Sequence, residues 1–355
     1  MISGWAPLML TSLTGGLLAL PLMPAVVELI RRRDTGALPT RKDDGNIHNF
    51  ATALRRYIAS VQPALVRCAE RQSIEEVQLR DGQYALVIGA AGRCEEIDPV
   101  FHNPALFSRA VWLRDEQVFL KDVYAAEVLH AGKLNVFRAL LGEKDIFLGE
   151  ENQVLRWIHA EGNLITAAGS SLFGRASAGQ SICLTPGCRF ERVHAPTIFA
   201  VPDAQIPSLP EERAPTDEAA AKSRKAPEKL VRSRIHGDLR LRVGEMFLGN
   251  IIASGSIQVE KDTQIVGAAK AHGDIRLDDQ AQIKGAVVGT SSIHTGSNCH
   301  IQGPVLAERE IHLGPGTRIG TLNAPTTVSA PRIRLATGCV IHGTVWARVE
   351  GRVEA

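Results

Sequence analysis

Aliphatic residues recur every 18 positions in the carboxyl third of the chain. Two such columns lie eight residues apart. In each column the last member comes four residues later than the period of 18 predicts. The first consists of Leu239, Ile257, Ile275, Ile293, Ile311 and Ile333, and the second of Phe247, Ile265, Ile283, Ile301, Ile319 and Ile341. Apolar residues also alternate at i and i+2 within each unit, which is the period of a β-strand. Because 18 residues cannot bury their inner face alone, we predict an all-β solenoid with these residues as core ladders.

An earlier segment follows the same 18-residue period. Its two columns are Val128, Ile146, Leu164 and Ile182, and Val136, Val154, Leu172 and Phe190. Between the two periodic regions, residues 202–234 contain five prolines and many charges, which is typical of a linker. We therefore predict a first β-helical block over 74–201, a linker over 202–234 and a second β-helix over 235–355. The sequence leaves open whether the two blocks form one continuous solenoid.

The amino end of the chain is apolar, with Glu28 as the only charged residue from Trp5 to Ile30. About 20 apolar residues cross a bilayer as a helix, so residues 1–33 are predicted to be a transmembrane anchor with a basic flank. By the positive-inside tendency, this flank predicts a single-pass protein of the bacterial inner membrane with a cytoplasmic main domain. The residues assigned to the anchor are Trp5, Leu17, Leu18, Leu20, Ile30, Arg31, Arg32 and Arg33.

Residues 34–73 are predicted to form a polar tether followed by one short amphipathic helix. Apolar residues from Phe50 to Leu65 recur at helical spacing, with Arg55 and Arg56 on the other side. Two environments fit this pattern. The basic face could lie on lipid, or the apolar stripe could pack on the domain that follows.

Composition narrows the possible functions. Among 355 residues, 40 Lys and Arg balance 38 Asp and Glu, and a net charge of +2 argues against a nucleic-acid partner. Six cysteines without paired spacing exclude a small disulfide scaffold. An aromatic content of 5% with 32 glycines favours a repetitive β architecture over a large helical protein.

Short motifs in residues 235–353 resemble the repeats of bactofilins, bacterial proteins that polymerise without nucleotide. The resemblance is carried by Gly237-Asp238-Leu239, by Gly273-Asp274-Ile275 and by Ala330-Pro331-Arg332-Ile333. It implies a right-handed β-helix with 18-residue coils that stacks end to end into filaments under the membrane. It also implies a role in localising enzymes of envelope or polysaccharide assembly.

These observations together predict a membrane-anchored, non-catalytic scaffold whose partners are itself, the inner membrane and envelope or exopolysaccharide assembly proteins. A solenoid ends in unpaired strand edges, which attract another edge unless they are capped. Trp346 lies just beyond the last ladder residue and is the candidate polymer contact. The same tryptophan could instead seal the end of its own solenoid.

The alternative is an enzyme, because 18 is three times the six-residue repeat of hexapeptide acyltransferases. Following Ile257 by sixes gives only a partial aliphatic match, and a β-helical polysaccharide-modifying enzyme would need a carboxylate cluster. His294 and His312 share a predicted outward column with cations and an amide, and Cys183 and Cys188 are loosely spaced for zinc. We therefore predict no catalytic, cofactor-binding or metal site.

Overall fold

The computed structural model describes residues 5–19, 23, 49–89, 92–93, 99–203 and 232–355. The chain divides into two compact units, residues 1–46 and residues 47–355. The second unit contains an all-β solenoid of about 13 turns, which confirms the prediction of a β-helix.

The helix at the amino end is too short to cross a membrane. Helix α1 spans Trp5–Ala19, and its 15 residues rise about 22 Å against a hydrocarbon core of about 30 Å. No helix in the described part of the chain is long and apolar enough to span a bilayer. The predicted transmembrane anchor over 1–33 and the inner-membrane location that rested on it are therefore wrong. Of the residues assigned to it, Trp5, Leu17 and Leu18 lie in α1, whereas Leu20, Ile30, Arg31, Arg32 and Arg33 lie outside the described residues.

The first block contains fifteen strands in its described residues. In chain order they are β1 (Ile74–Gln78), β2 (Tyr84–Ile88), β3 (Gly92–Arg93), β4 (Val100–Phe101), β5 (Ala105–Phe107), β6 (Val111–Trp112), β7 (Val118–Ala125), β8 (Leu129–Ala131), β9 (Val136–Gly142), β10 (Ile146–Leu148), β11 (Gln153–Ala160), β12 (Leu164–Thr166), β13 (Ser171–Ala178), β14 (Ser181–Leu184) and β15 (Arg189–Ala200). Strands β1 and β2 form an antiparallel hairpin, and the pairing from β2 to β15 is parallel.

The second block begins at Arg232 and contains seventeen strands. They are β16 (Arg232–Ile235), β17 (Leu239–Leu241), β18 (Met246–Leu248), β19 (Asn250–Ala253), β20 (Ile257–Val259), β21 (Gln264–Val266), β22 (Ala269–Ala271), β23 (Ile275–Leu277), β24 (Gln282–Ile283), β25 (Val287–Gly289), β26 (Ser292–Thr295), β27 (His300–Ile301), β28 (Val305–Ala307), β29 (Glu310–Leu313), β30 (Arg318–Ile319), β31 (Thr326–Ala336) and β32 (Val340–Glu354). Each coil supplies one strand to each of three faces. Face 1 begins with β16, face 2 with β18 and face 3 with β17.

Parallel pairing places the twelve predicted ladder residues of the second block in two unbroken columns. The column from Leu239 to Ile333 lies on face 3, and the column from Phe247 to Ile341 lies on face 2. Apart from Leu239 and Phe247 in the first coil, every member is at most 1% exposed. Each full burial of this kind contributes roughly 1.5–3 kcal/mol, so the ladders are a main source of the solenoid's stability.

The columns of the first block differ from the predicted ones by one residue at their start. Ile146 pairs with Leu129 rather than Val128, and Val154 pairs with Phe137 rather than Val136. The cause is a shorter corner: Leu140 follows Phe137 by three positions, whereas the corresponding residues are four positions apart in the coils on either side. The strict 18-residue period therefore assigned two half-buried valines to the core.

The two blocks meet tail to tail. Strand β15, which ends the first block, pairs antiparallel with β32 on all three faces. Phe190 pairs with Gly351 on face 3, Val193 with Val345 on face 1, and Ile198 with Ile341 on face 2. We call this junction the seam. One hydrophobic core runs through it, so the two blocks form a continuous solenoid whose halves run in opposite directions.

The amphipathic segment packs on the side of the first block. It consists of α2 (Asn49–Ile58), a 3₁₀ turn (Ala59–Val61) and α3 (Gln62–Arg71). Its apolar residues, among them Leu54, Ile58 and Leu65, are buried against outward side chains of face 1 such as Tyr124 and Leu141. The apolar stripe therefore packs on the domain that follows, which is the second of the two predicted environments.

Candidate functional site

The first coil of the second block is the least covered part of the solenoid. We call residues 232–249 the open end. Its three strands each pair with one strand of the following coil, and no described residue pairs with their outer edges. The carbonyl of Ile235 accepts the amide of Ser254 in the next coil. Because successive residues of a strand point to opposite sides, the backbone amide of Arg234 faces away from the solenoid.

Apolar side chains at the open end are incompletely buried. Leu239 and Phe247 begin the two ladders but are only half-buried, because no coil among the described residues covers them from outside. Val243, Met246 and Leu248 are 63%, 61% and 66% exposed. Exposed strand edges that carry apolar side chains are preferred sites for pairing with another chain.

The open end also carries four arginines. Arg232 and Arg234 project from β16 on the outer surface of face 1, and both are exposed. Arg240 forms an ion pair with Glu260 of the next coil, so Arg232, Arg234 and the exposed Arg242 remain as the basic side chains of this edge.

The opposite end of face 1 is the β1–β2 hairpin, and its outer strand is acidic. Strand β1 carries Glu75 and Glu76, and no described residue pairs with its outer edge. Glu75 lies 3.3 Å from Arg67 of α3, and Glu76 accepts a hydrogen bond from Asn103 at 3.4 Å. Glu75 is therefore ion-paired within its own chain, and Glu76 is the carboxylate of β1 without an ion pair to a described residue.

Trp346 lies at the seam and not at an end of the solenoid. It pairs with Arg192 of β15 and with Ser329 of β31. Its indole ring is 43% exposed, and the Arg192 guanidinium carbon lies 5.3 Å from the ring centroid. Trp346 therefore lies on the outer surface of the junction between the two blocks.

The Gly-Asp pairs that carry the resemblance to bactofilins connect adjacent coils. Asp238 accepts the backbone N–H of Ser256 at 2.7 Å, and Asp274 accepts that of Ser292 at 3.0 Å. Hydrogen bonds from Ser291 and Ser292 hold the pKa of Asp274 below its usual range. These carboxylates therefore satisfy corner amides.

The outward histidine column exists and has carboxylates beside it. His294 and His312 stack edge to face, with ring centroids 6.0 Å apart, between Arg276 and Arg334. His312 lies 3.6 Å from Glu354, a residue that the spacing argument did not place there. Among the described residues, no three His, Cys, Asp or Glu side chains are grouped to hold a metal ion.

The cysteines of the described residues are buried thiols. Burial raises the pKa of Cys183 to about 12, that of Cys299 to about 11 and that of Cys339 to about 12. A thiol with such a pKa stays protonated at neutral pH, which makes it a poor nucleophile and a poor metal ligand.

Comparison with known proteins gives no relative: no family model matches the chain, and neither a curated protein nor a solved structure matches it significantly. The resemblance to bactofilins therefore rests on the quoted motifs alone.

Sequence reasoning did not find the seam or the residues on its outer surface. The sequence contained one signal of the seam. The ladder of Ile311 and Ile333 continues at Gly351, so a glycine stands where the 18-residue period predicts an aliphatic residue. The glycine leaves space for the ring of Phe190, since a Cβ at position 351 would lie 2.2 Å from that ring.

Proposed function

We propose that this chain is a non-catalytic, self-associating scaffold of the bactofilin type, whose copies join at the ends of their solenoids. The observation that carries the proposal is the half-covered first coil of the second block, whose outer strand edges pair with no described residue and whose apolar side chains are exposed. The motifs of residues 235–353 support a role in localising envelope or polysaccharide assembly enzymes.

The seam supports pairing at solenoid ends. There the last coils of the two blocks satisfy each other's edges through antiparallel pairing on three faces. Because both carboxyl-terminal coils are used in this junction, further pairing has to use the amino-terminal coil of each block. An exposed edge supplies main-chain hydrogen bonds to an added strand, as in β-augmentation.

Charge favours a head-to-tail joint between copies. If two open ends met, Arg232 and Arg234 would oppose the same arginines, and like charges directly opposite destabilise a strand pair. If β16 of one copy met β1 of another, these arginines would share the outer surface with Glu75, whereas Glu76, the next residue of β1, lies on the opposite side of the strand. A joint between two different surfaces does not close on itself, so it generates a filament.

Strand direction is compatible with this joint. Strands β1 and β16 both run antiparallel to β2, the former by direct pairing and the latter through the reversal at the seam. A second copy displaced along the solenoid axis therefore brings β1 beside β16 as a parallel pair, which extends face 1.

The test compares the full-length chain with two charge-reversed variants by sedimentation velocity and negative-stain microscopy. The wild type is expected to form filaments as its concentration rises. Arg232→Glu/Arg234→Glu and Glu75→Lys/Glu76→Lys are each expected to stay short, because each has the same charge at both edges. An equimolar mixture is expected to recover filaments, since the two variants then alternate. Arg276→Glu, exposed in the middle of face 3, is the matched control and is expected to assemble like the wild type.

Each contrary result has a distinct meaning. Wild-type chain that stays monomeric at every concentration overturns the proposed function. Filaments that persist in both charge-reversed variants overturn the head-to-tail joint and leave self-association in place.

A further inference from the structure

Two arginines lie side by side on the outer surface of the seam. On face 1 the register places Trp157, Arg175, Arg192 and Trp346 on four successive strands, the last of which belongs to the second block. Adjacent strands are about 4.8 Å apart, so the two guanidinium groups are near neighbours. Parallel pairing within the first block places the two arginines side by side, and the seam adds Trp346 beside Arg192.

Each arginine is held in place by a tryptophan. The guanidinium carbon of Arg175 lies 4.8 Å from the ring centroid of Trp157, and that of Arg192 lies 5.3 Å from the ring centroid of Trp346. Stacking on an aromatic face fixes the plane of a guanidinium and leaves the N–H groups at its edge free to donate. The pair is therefore oriented before any ligand arrives.

The charge of this pair is not neutralised within the described residues. Neither Arg175 nor Arg192 forms an ion pair with a described carboxylate, and the adjacent Glu191 accepts the backbone amide of Gly174 instead. The Nε of Arg192 is buried and donates no hydrogen bond to any described group. Burial and the neighbouring Arg175 both lower the pKa of Arg192.

Two other half-buried arginines on the same side of the solenoid have carboxylate partners. Arg55 binds Glu143, and Arg138 binds Asp122 at 2.7 Å. A half-buried cation without such a partner is unfavourable, and a second cation beside it increases the effect. An anion bound between the two arginines would remove both penalties.

We propose that the seam is a binding site for a phosphate group. Two guanidinium groups on successive strands present parallel pairs of N–H donors, which match the oxygens of a phosphate, and their double charge favours a dianion over a single carboxylate. The neighbouring column on the same surface adds further polar groups, with His194 Nδ1 and Thr344 Oγ1 2.8 Å apart across the seam. The site takes residues from both blocks, so it exists only when the seam is closed.

The site is tested by calorimetric titration of the full-length chain in low-salt buffer with three probes. Inorganic phosphate and glucose 6-phosphate are expected to bind, and glucuronate, which has a single carboxylate, is expected to bind at least tenfold more weakly. Binding of inorganic phosphate alone would assign the site to the free ion, and equal binding of both phosphates to the phosphate group of a larger ligand. Fluorescence of the chain gives a second readout, because a ligand at Arg192 changes the environment of Trp346.

The variants are Arg175→Gln and Arg192→Gln, each expected to lose phosphate affinity tenfold or more. Arg276→Gln is the matched control and is expected to bind as the wild type. If Arg192→Gln does not fold, Arg192→Lys keeps the charge but removes the planar donors, and it is expected to show the same loss. Absence of phosphate binding, or binding that is unchanged in the Arg175 and Arg192 variants, overturns the proposal.

Discussion

The seam and the open end are built from the same kind of coil but differ in what covers their outer edge. At the seam, the ladder position is occupied by Gly351, and Phe190 of the other block fills the space above it. At the open end, the same ladder begins with Leu239, a large side chain that no described coil covers. The chain therefore adapts one terminal coil to a specific partner and leaves the other with a general, apolar and basic edge.

The largest expected effect is the loss of stability when a ladder residue in the middle of the second block is shortened, compared with the ladder residue at the open end. Ile293→Ala removes a fully buried side chain between two like residues and is expected to lower the free energy of unfolding by about 2–5 kcal/mol. Leu239→Ala removes a half-buried side chain and is expected to lower it clearly less. Urea denaturation followed by circular dichroism measures both. Equal losses would mean that the open end is covered in solution.

The next comparison tests the fit of the seam. Gly351→Val places a branched side chain against the ring of Phe190 and is expected to destabilise the chain by about 1–3 kcal/mol. Adding Phe190→Ala in the same chain is expected to recover part of that loss, since the valine then fills the vacated space. A double-mutant cycle measures the coupling. Strictly additive losses would show that the two residues do not share a packing site.

A smaller effect is expected where α2 docks on the first block. Arg55 bridges Glu143 and Glu161, and Arg55→Gln is expected to lower stability by about 1 kcal/mol because the pair is partly exposed. Arg56→Gln, an exposed neighbour with no ion pair to a described residue, serves as the control. A similar loss in both variants would rule out a specific bridge.

The smallest effect is a pH dependence of this docking. The hydrogen bond from Arg55 lowers the pKa of Glu161 in the folded chain. The contribution of Glu161 is therefore complete above its unfolded pKa of about 4.3 and is lost as pH falls through the lower folded value. The unfolding temperature of the wild type, measured between about pH 3 and pH 6, should therefore fall with a distinct slope as the pH is lowered. A slope that stays the same in Glu161→Gln would assign it to another group.

Much of the fold follows from the sequence because a solenoid repeats its own pattern. The ladder from Ile257 to Ile333 could be written down from spacing alone, since each member has the same environment. The pattern fails where environments stop repeating. Leu129 replaces Val128 as the partner of Ile146 because the corner after Phe137 is one residue shorter than its neighbours, and Gly351 interrupts a ladder because it meets Phe190 from the other block.

The candidate sites were less accessible to sequence reasoning for a related reason. Periodicity identifies residues that face the core. Arg175 and Arg192 face outward, and each is recognised as part of a site only because it stacks on a tryptophan of a neighbouring strand. The amino end shows a different failure: apolar composition alone predicted a membrane span, whereas the described helix α1 has 15 residues.

The tail-to-tail junction also sets an order of events during synthesis. His194 and Thr344, which meet across it, are 150 residues apart, so β15 leaves the ribosome long before the strand that covers it. Throughout that interval the nascent first block has a bare aliphatic rung that another nascent chain could occupy. A chaperone that shields β15 until β32 emerges would therefore protect the protein from exchanging halves between neighbouring copies.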